Sequence, residues 1–424
     1  MQSLWCTLCL IVNRYLAKED AMKQIRCAVL VTIIAFLTIC ASKAFAFQVN
    51  PCYRVLEIKN GVPDQGRIRA WFINTCWLKN DFNTVHEHLT NFAINEYLEP
   101  AYYLRNPKVA LVNRAGGDSV NFITGAEWPK GAKPRHTTYG IIYGSWWNDD
   151  PLMFTWGEGA NFTTGLLKLR RQFEDTHAEY RGGVSGCRVK AADYLPWHSH
   201  YGSMQYLHFM TNEPNAGDDQ ARLRKTTSEA LLWMEFAYKV AIKKIKADDP
   251  LTEADEIKLG MPRVDLNYCL EDKKNEKVRT LFAPAGTDYE GRNLLTPDVA
   301  LGSMLHVMQD SFSPAHTCRV DEYVAGRPYA VLTKVYNYGE QVEANLGDYH
   351  HDKDDYPGWL ITYTRTGKHV YENDPIVVGA WLIKAVDQQM EWDDVRKHLE
   401  QTIFKRSDRP ASEPSPACIG SSKA

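Results

Sequence analysis

The sequence predicts a mainly helical protein with loop-rich and small β insertions between its helices. Apolar residues recur at helical spacing in four segments, three of which begin with a threonine that can cap a helix. These segments are 84–98, 226–246, 296–311 and 376–405, and a further helix candidate lies within 320–346. Residues 99–145 are instead rich in glycine and proline, with β-like runs such as VALV and GIIYG, so we expect at most a small sheet there.

The segment 296–316 is the most informative part of the chain. Thr296 can cap a helix, Pro297 suits the first turn and Asp298 complements the positive end of the helix dipole. We therefore expect a helix to begin at Thr296. Apolar residues then recur at helical spacing, at Leu301, Leu305 and Met308.

Two polar residues of this helix, His306 and Asp310, are four residues apart and project from the same face. Both side chains can reach a single metal ion. Because Pro314 cannot continue the helix, the chain is expected to turn near residues 311–313 and to bring His316 back beside the helix end. Imidazole and carboxylate groups gathered at that corner predict a metal site.

The spacing of His306, Asp310, Pro314 and His316 resembles the signature His-x3-Asp-x3-Pro-x-His of the zinc-dependent phospholipase C and P1 nuclease family. The resemblance implies a multi-helix domain of that kind, most like the longer secreted bacterial phospholipases C. The chain departs from the family pattern at three positions, where an aromatic, a small and an apolar residue are usual. Those positions hold Val307, Gln309 and Ser311.

Shorter motifs upstream resemble other ligand segments of the same family. The family has a ligand histidine at the start of its first helix, followed seven residues later by a small residue and then an aliphatic one. His86 matches because Ala93 and Ile94 stand at those offsets, whereas His88 does not match. The family also has a ligand histidine in a Leu-His-Phe motif, and the corresponding residue here is His208.

Two aspartates compete for the carboxylate that the family adds to its zinc pair, and both are candidate catalytic residues. Asp149 ends a Trp-x-Asp motif at residues 147–149 like that of the P1 nucleases, but it requires an insertion of more than forty residues before His208. Asp193 lies fifteen residues before His208, which is close to the family's spacing. The local motif favours Asp149, and both aspartates remain candidates.

The segment GDYHHDKDDYPGW, residues 347–359, matches the last ligand pair of the family. In the family, a His-x3-Glu or His-x3-Asp pair follows the central motif. Two registers satisfy this pattern, His350 with Asp354 and His351 with Asp355. The second is preferred because a lysine then stands two residues after the histidine, as in the phospholipases.

The resemblance implies two to three zinc ions per chain. The first would be held by Asp149 or Asp193, His208, His306 and Asp310; the second by His316, His351 and Asp355; and the third by His86 and Asp310. Family members commonly begin at a tryptophan that completes the third site, whereas the expected mature chain begins at Phe47. That site must therefore be built differently here, or a second cleavage must occur. His198 and His200 need no role beyond surface or supporting positions.

The first 46 residues are interpreted as a targeting segment. Residues 22–46 contain a basic start, an apolar run and an Ala-x-Ala site, which together predict a secretory signal peptide cleaved after Ala46. Residues 1–21 have no place ahead of such a signal and are interpreted as an upstream extension. The catalytic domain is expected over 47–405, followed by a tail, 406–424, tied back by Cys418. The mature protein would thus be secreted without a transmembrane anchor.

Removing the leader leaves 44 basic against 50 acidic residues, a net charge of about −6, and six of the ten cysteines. An acidic protein is a poor candidate for a stable nucleic-acid complex, whose affinity depends on neutralising phosphates. Six cysteines in an oxidising compartment are compatible with up to three disulfides, whose pairing the sequence does not fix. They are Cys52, Cys76, Cys187, Cys269, Cys318 and Cys418, and they contain no Cys-x2-Cys pair of the kind that binds metal.

The implied cluster of histidines and carboxylates suits hydrolysis of a phosphodiester, because zinc lowers the pKa of bound water and stabilises the charge of the transition state. The leading expectation is a secreted phospholipase C that acts on phospholipids such as phosphatidylcholine at a membrane surface. Its products would be diacylglycerol and a phosphorylated headgroup. The alternative is a P1-like zinc nuclease or nucleotidase on single-stranded nucleic acid, with aromatic residues stacking on the bases.

Overall fold

The chain is mainly helical, as the sequence predicts, and its described β structure forms three small antiparallel pairs. The structure is a computed structural model that describes residues 57–59, 62–64, 85–100, 138–145, 147–149, 151, 179–181, 188–190, 195–214, 217–261, 277–282, 289–338, 358–407 and 418. The helices are α1 (Val85–Leu98), α2 (Thr138–Gly144), α3 (Leu195–His200), α4 (Asp219–Ala241), α5 (Glu253–Lys258), α6 (Val278–Phe282), α7 (Tyr289–Asp310), α8 (Gly358–Thr366), α9 (Pro375–Asp387) and α10 (Trp392–Gln401), with a 3₁₀ turn at Gln205–His208. The strands are β1 (Glu57–Lys59), β2 (Val62–Asp64), β3 (Glu179–Arg181), β4 (Arg188–Lys190), β5 (Thr317–Val324) and β6 (Arg327–Val335). Among these helices, none combines the length and apolarity needed to cross a membrane.

Helix α7 is surrounded by other elements, since it contacts α1, α2, α4, α9 and the 3₁₀ turn. Every residue from Leu295 to Asp310 is buried, so this part of the helix has no solvent-facing side. A polar side chain buried in this way must find a partner, because an unpaired polar group in the interior costs about 1–3 kcal/mol. The polar residues of α7 therefore mark the places where the helix makes specific contacts.

The start of α7 differs from the prediction, whereas its end agrees with it. The helix begins at Tyr289 rather than Thr296, and Pro297 lies inside it. A proline within a helix removes one backbone hydrogen bond, but Leu295 and Thr296 are buried, so packing of the additional turns offsets that loss. The chain leaves the helix after Asp310, as predicted.

Helix α4 also has different bounds from the predicted 226–246. It begins at Asp219 and ends at Ala241. The side chain of Asp218 caps its start by accepting a hydrogen bond of 2.8 Å from the backbone N–H of Gln220. Thr226, the predicted cap, is buried within the helix. Four of the five predicted inward-facing residues are buried, whereas the fifth, Ile245, lies beyond the helix end and is partly buried; the four are Leu231, Met234, Tyr238 and Ala241.

The predicted single helix 376–405 is two helices, α9 and α10. The chain breaks between them at Gln389, whose φ of 53° lies in the left-handed region that a continuing helix does not allow. At the other end, Asp374 caps α9 and Pro375 occupies its first turn. The break lets α9 pack against α1 while α10 contacts α4.

Two segments adopt a different secondary structure from the one expected. The run GIIYG, expected to be β-like, lies in helix α2. Within the helix candidate range 320–346, residues up to Val335 form no helix, because β5 and β6 make an antiparallel hairpin there, and residues 339–346 lie outside the described residues. The two-residue turn of the hairpin, Ala325 and Gly326, has φ values of 51° and 80°, which are typical of the tight turn that matches the twist of paired strands.

The C-terminal tail is tied back as predicted, through a disulfide between Cys318 and Cys418. Cys318 is buried at the start of β5, two residues after His316. The other four cysteines expected in the mature chain lie outside the described residues. The disulfide therefore joins the tail to the strand that follows the predicted metal corner.

Helices α2 and α7 cross at two glycines. A methyl group on Gly302 would lie 2.3 Å from the carbonyl oxygen of Ile141 and 2.5 Å from Cα of Gly144. A methyl group on Gly144 would lie 2.6 Å from the backbone of Val299. Contacts this short do not occur between real side chains and backbone, so both glycines are needed for the helices to approach so closely.

We expect Gly302→Ala to lower the free energy of unfolding by about 1–3 kcal/mol, because the added methyl group overpacks the crossing. Gly358→Ala is the control, since an added methyl group there meets nothing within 4 Å. Alanine favours a helix over glycine, so the control should be neutral or more stable by up to about 1 kcal/mol. Chemical denaturation measures both changes, and equal stability of the two variants would contradict a close crossing.

Candidate metal centre

Six side chains of the kinds that bind metals meet at the C-terminal end of α7. They are His86 from α1, Asp149 from the turn after α2, His208 from the end of the 3₁₀ turn, His306 and Asp310 from α7, and His316 from the turn before β5. Each is at most 2% exposed. All six are ligands predicted from the sequence, and the structure brings them together.

The turn after α7 is held by backbone hydrogen bonds that place His316. The N–H of Ser313 donates to the carbonyl of Asp310 at 2.9 Å, and the N–H of His316 donates to the carbonyl of Ser313 at 3.0 Å. Nδ1 of His316 consequently lies 3.6 Å from Oδ2 of Asp310. The corner predicted from the spacing of the helix and Pro314 is confirmed.

Three atoms that could each bind a metal ion form a tight triangle in the centre of the cluster. Nδ1 of His208 lies 2.8 Å and Nε2 of His306 lies 2.9 Å from Oδ2 of Asp310. The two ring nitrogens are 3.0 Å apart. Such a triangle forms either when protons are shared among the three atoms or when a cation binds to all of them.

The protonation of these rings follows from what their opposite nitrogens contact. Nδ1 of His306 donates to the carbonyl oxygen of Ser145 at 2.7 Å, and Nε2 of His208 donates to that of Asn148 at 3.1 Å. Nδ1 of His316 donates to the carbonyl of His208 at 2.6 Å. A carbonyl oxygen only accepts, so these nitrogens carry the ring proton. In a neutral ring, the nitrogen on the other side then has only a lone pair.

Burial keeps the rings of His306 and His316 neutral. It lowers the pKa of His306 to about 3, with His86 adding to the effect, and lowers that of His316 to about 4. Burial opposes ionisation of Asp310, but its interactions with the surrounding histidines, His306 first, outweigh burial and hold its pKa well below the usual range. When His306 is neutral, its Nε2 and Oδ2 of Asp310 are two acceptors 2.9 Å apart, an arrangement that a shared proton or a bound cation stabilises.

His86 approaches the same carboxylate from the other side. Its Nδ1 donates to Oε1 of Gln309 at 2.6 Å, and its Nε2 lies 3.4 Å from Oδ1 of Asp310. That carboxylate oxygen is buried and accepts no hydrogen bond from any described residue. Burial tends to lower the pKa of His86, but Asp310, Asp149 and Gln309 together raise it above its ordinary value. Protons and a metal ion therefore compete for this nitrogen.

Asp149 lies at the edge of the cluster, within about 4 Å of three imidazoles. Its Oδ1 is 3.9 Å from Nδ1 of His208, and its Oδ2 is 4.0 Å from Nε2 of His86 and from Nδ1 of His306. These distances are too long for hydrogen bonds and leave space between the carboxylate and the rings. Asp149 thus belongs to groups of side chains that could hold a metal ion at this place.

Two neighbours in the Trp-x-Asp motif hold Asp149 in position. Trp147 is fully buried, donates from Nε1 to the carbonyl of Leu281 at 2.9 Å, and stacks on Trp233 with ring centroids 5.1 Å apart. Asn148 donates to the carbonyl of Leu207 at 2.6 Å. The motif therefore anchors the turn that carries Asp149 to the segment that carries His208.

Other predicted site residues cannot be compared with this geometry. Asp193, His351 and Asp355 lie outside the described residues, as do His350 and Asp354, so the choice between Asp149 and Asp193 and the choice of register both stay open. His200 gains a role that sequence reasoning did not give it. It is 1% exposed, and one of its ring nitrogens lies within 4.8 Å of ligand atoms of Asp149 and His208, a group that could hold a metal ion.

Sequence reasoning missed His200 because a histidine between polar neighbours has no burial signal of its own. Its neighbour two residues earlier, His198, is half-buried and contacts Trp197 rather than the cluster. The ring of His200 lies 4.4 Å from that of His208 and edge-on to Tyr338 at 5.1 Å. Only the return of the chain through the 3₁₀ turn places His200 beside the residues that could hold a metal ion.

The departure from the family pattern at Ser311 is explained by a buried arginine. Arg319 donates to both the carbonyl and the hydroxyl oxygen of Ser311, at 2.6 and 2.9 Å, and lies over the ring of Phe312 at 3.8 Å. The same guanidinium donates to the carbonyls of Ala330 and Ile403, both at 2.7 Å. Through Arg319, the polar residue after Asp310 thus connects the turn that follows α7 to the β5–β6 hairpin and to the residues after α10.

Comparison with known proteins adds no relative to this picture. No protein-family model matches the sequence, no curated protein matches it significantly, and no solved structure matches the fold significantly. The assignment of the site therefore rests on the geometry and chemistry of its own residues, and these define a protein with a buried group of histidines and aspartates that could bind a metal ion.

We expect Asp310→Asn to weaken metal binding by more than the roughly 10–100-fold typical of changes beside a metal site, because it removes the charge next to four imidazoles. The amide keeps the size of the side chain, so the helix should still form. Asp387→Asn is the control, since Asp387 accepts a hydrogen bond from Tyr97 and takes no part in the cluster. Metal titration followed by elemental analysis measures the effect. Full metal content in Asp310→Asn would show that the cluster is not a metal centre.

Asp149→Asn and Asp193→Asn, in the same titration, test which aspartate supplies the second carboxylate. One of the two should approach the loss seen for Asp310→Asn, and the other should not. The distances of 3.9–4.0 Å to three imidazoles lead us to expect the larger loss at Asp149.

Proposed function

We propose that this protein is a secreted zinc-dependent phosphodiesterase of the phospholipase C type. The observation that carries the proposal is the convergence of four imidazoles on the buried carboxylate of Asp310, with Asp149 beside them. Nitrogen and oxygen ligands without thiolate are typical of catalytic zinc, which keeps coordination positions open for water and substrate.

The donor set suits zinc in its chemistry, and its spacing is tighter than bound zinc requires. Ligands about 2.0–2.2 Å from a tetrahedral zinc ion stand roughly 3.3–3.6 Å apart. The triangle of His208, His306 and Asp310 has sides of 2.8–3.0 Å, so these three side chains would move slightly apart around the ion. With Asp149 these residues would hold one zinc. His86 and Asp310 would contribute to another, and His316 to a third together with residues outside the described part, His351 and Asp355.

When bound, zinc would lower the pKa of a coordinated water and offset the negative charge of the phosphodiester. The protein's own part in the reaction is to hold its groups in place beforehand. The carbonyls of Ser145, Asn148 and His208 fix the orientation of three imidazoles, so little reorganisation is needed when substrate binds. Asp149, whose carboxylate oxygens lie 3.9–4.0 Å from three imidazoles, would hold the zinc through one oxygen and leave the other to accept a proton from the attacking water.

Phospholipid is the favoured substrate because the expected mature chain is acidic, with a net charge of about −6. Binding of a long nucleic acid depends on neutralising many phosphates, which an acidic protein does poorly. A lipid presents one phosphodiester at a time at the membrane surface. The resemblance to the longer secreted bacterial phospholipases C also favours a lipid substrate. The Cys318–Cys418 disulfide supports secretion, because it suits the oxidising compartment that a signal peptide ending at Ala46 would reach.

A P1-like nuclease or nucleotidase is the second candidate, and one observation favours it. The Trp-x-Asp motif at 147–149 resembles the one through which P1 nucleases supply a carboxylate, and Asp149 lies beside the histidine cluster. The two activities would use the same zinc chemistry and differ in the substrate that fits over the site.

The test measures release of phosphocholine from phosphatidylcholine vesicles beside digestion of single-stranded DNA, each with and without a chelator. We expect phosphocholine release that the chelator abolishes and that added zinc restores, with DNA digestion much slower. Rapid chelator-sensitive digestion of DNA without lipid turnover would favour the nuclease. Absence of both activities in a zinc-loaded protein would overturn the proposal of a phosphodiesterase.

A further inference from the structure

Gln309 precedes Asp310 on α7, at a position where the family has a small residue. Its side chain is 1% exposed and contacts α1, the helix that carries His86. Oε1 accepts a hydrogen bond from Nδ1 of His86 at 2.6 Å, and Nε2 donates to Oγ1 of Thr90 at 2.8 Å. The amide thus lies between a metal-type ligand and a residue one helical turn further along the same helix.

The amide of Gln309 faces His86 with its oxygen and the fully buried Thr90 with its nitrogen. An amide nitrogen has only protons to offer, and an amide oxygen has only lone pairs. Nδ1 of His86 therefore carries a ring proton, and Nε2, 3.4 Å from Oδ1 of Asp310, is the nitrogen that can take a second proton or a metal ion.

The ring of His86 has little freedom to adopt another orientation. It stacks on the ring of His306, with centroids 3.8 Å apart and an angle of 18° between the planes. A flip of the ring by half a turn would exchange Nδ1 with a carbon atom. A C–H group would then face Gln309, and the hydrogen bond from Nδ1 would be lost. The stacked ring and the oriented amide together aim one particular nitrogen at Asp310.

From these contacts, we propose that Gln309 is a positioning residue for the metal position between His86 and Asp310, acting by fixing the tautomer and orientation of His86. The proposal rests on the metal centre of the proposed function. A hydrogen bond behind a metal-bound histidine both orients the ring and makes it a better ligand.

A core amide with no such role would also be hydrogen-bonded, so the experiment must separate positioning from stability. Gln309→Met keeps the length of the side chain but removes the acceptor. Gln309→Glu keeps the acceptor for His86, and its second oxygen can accept from the Thr90 hydroxyl. Asn373→Leu is the stability control, because Asn373 is a buried amide that bonds to Ala330 and Thr402, away from the metal ligands.

The measurement is zinc affinity by competition with a chromophoric chelator, together with thermal unfolding of the metal-free protein. We expect Gln309→Met to weaken one zinc by about 10–100-fold and Gln309→Glu by less than tenfold. Asn373→Leu should lower thermal stability without changing zinc affinity. If Gln309→Met does not fold, Thr90→Val, which frees the amide to rotate, should give a smaller change in the same direction.

A double-mutant cycle with His86→Ala decides whether Gln309 acts through His86. In the His86→Ala background, Gln309→Met should cause no further loss of zinc affinity. The same loss in both backgrounds would overturn the positioning role. Failure of wild-type protein to bind zinc would instead refute the proposed function, so the two failures are distinguishable.

Discussion

The contact on which the rest of the structure depends is between the carboxylate of Asp310 and the imidazoles around it. A fully buried carboxylate costs several kcal/mol to remove from water unless nearby groups compensate. Two ring nitrogens, from His208 and His306, lie within 3 Å of it, and both rings are tethered through their opposite nitrogens to backbone carbonyls. The site therefore requires several separate segments to hold fixed positions at once.

Packing around α7 provides those positions. The crossing with α2 is close because Gly302 and Gly144 lack side chains, and the residue that follows α2, Ser145, supplies the carbonyl that orients His306. Helix α1 contributes His86 and contacts both α7 and α9. The disulfide at Cys318 and the hydrogen bonds of Arg319 hold the other side of the corner. Because acceptors face one another in the centre, bound metal should add to the stability of the fold as well as to its chemistry.

Much of the site could be predicted from the sequence because its main elements are local. The i,i+4 spacing of His306 and Asp310 and the turn at Pro314 need no long-range information, and the structure confirms both. The groups that orient His208, His306 and His316 could not be predicted, since they are backbone carbonyls with no sequence signature. His200 was likewise missed, because its burial depends on the return of the chain at the 3₁₀ turn.

The errors in secondary structure have a related cause. Local signals placed a helix start at Thr296 and a helix within 320–346. Burial of Leu295 and Thr296 instead extends α7 to Tyr289, and pairing of β5 with β6 makes the second segment a hairpin as far as Val335. In both cases, tertiary contacts outweigh propensities worth well under about 1 kcal/mol per residue. The alternating residues around Ala325 and Gly326 are the signal that favours the hairpin.

Metal content tests the central claim most directly, because the account holds that the acceptors around Asp310 face one another across bound cations. Elemental analysis of the mature protein, purified without chelator, should find two to three zinc ions per chain, and X-ray absorption at the zinc edge should show nitrogen and oxygen ligands without sulfur. Less than one zinc ion per chain, with the protein folded and still unable to take up added zinc, would contradict the account.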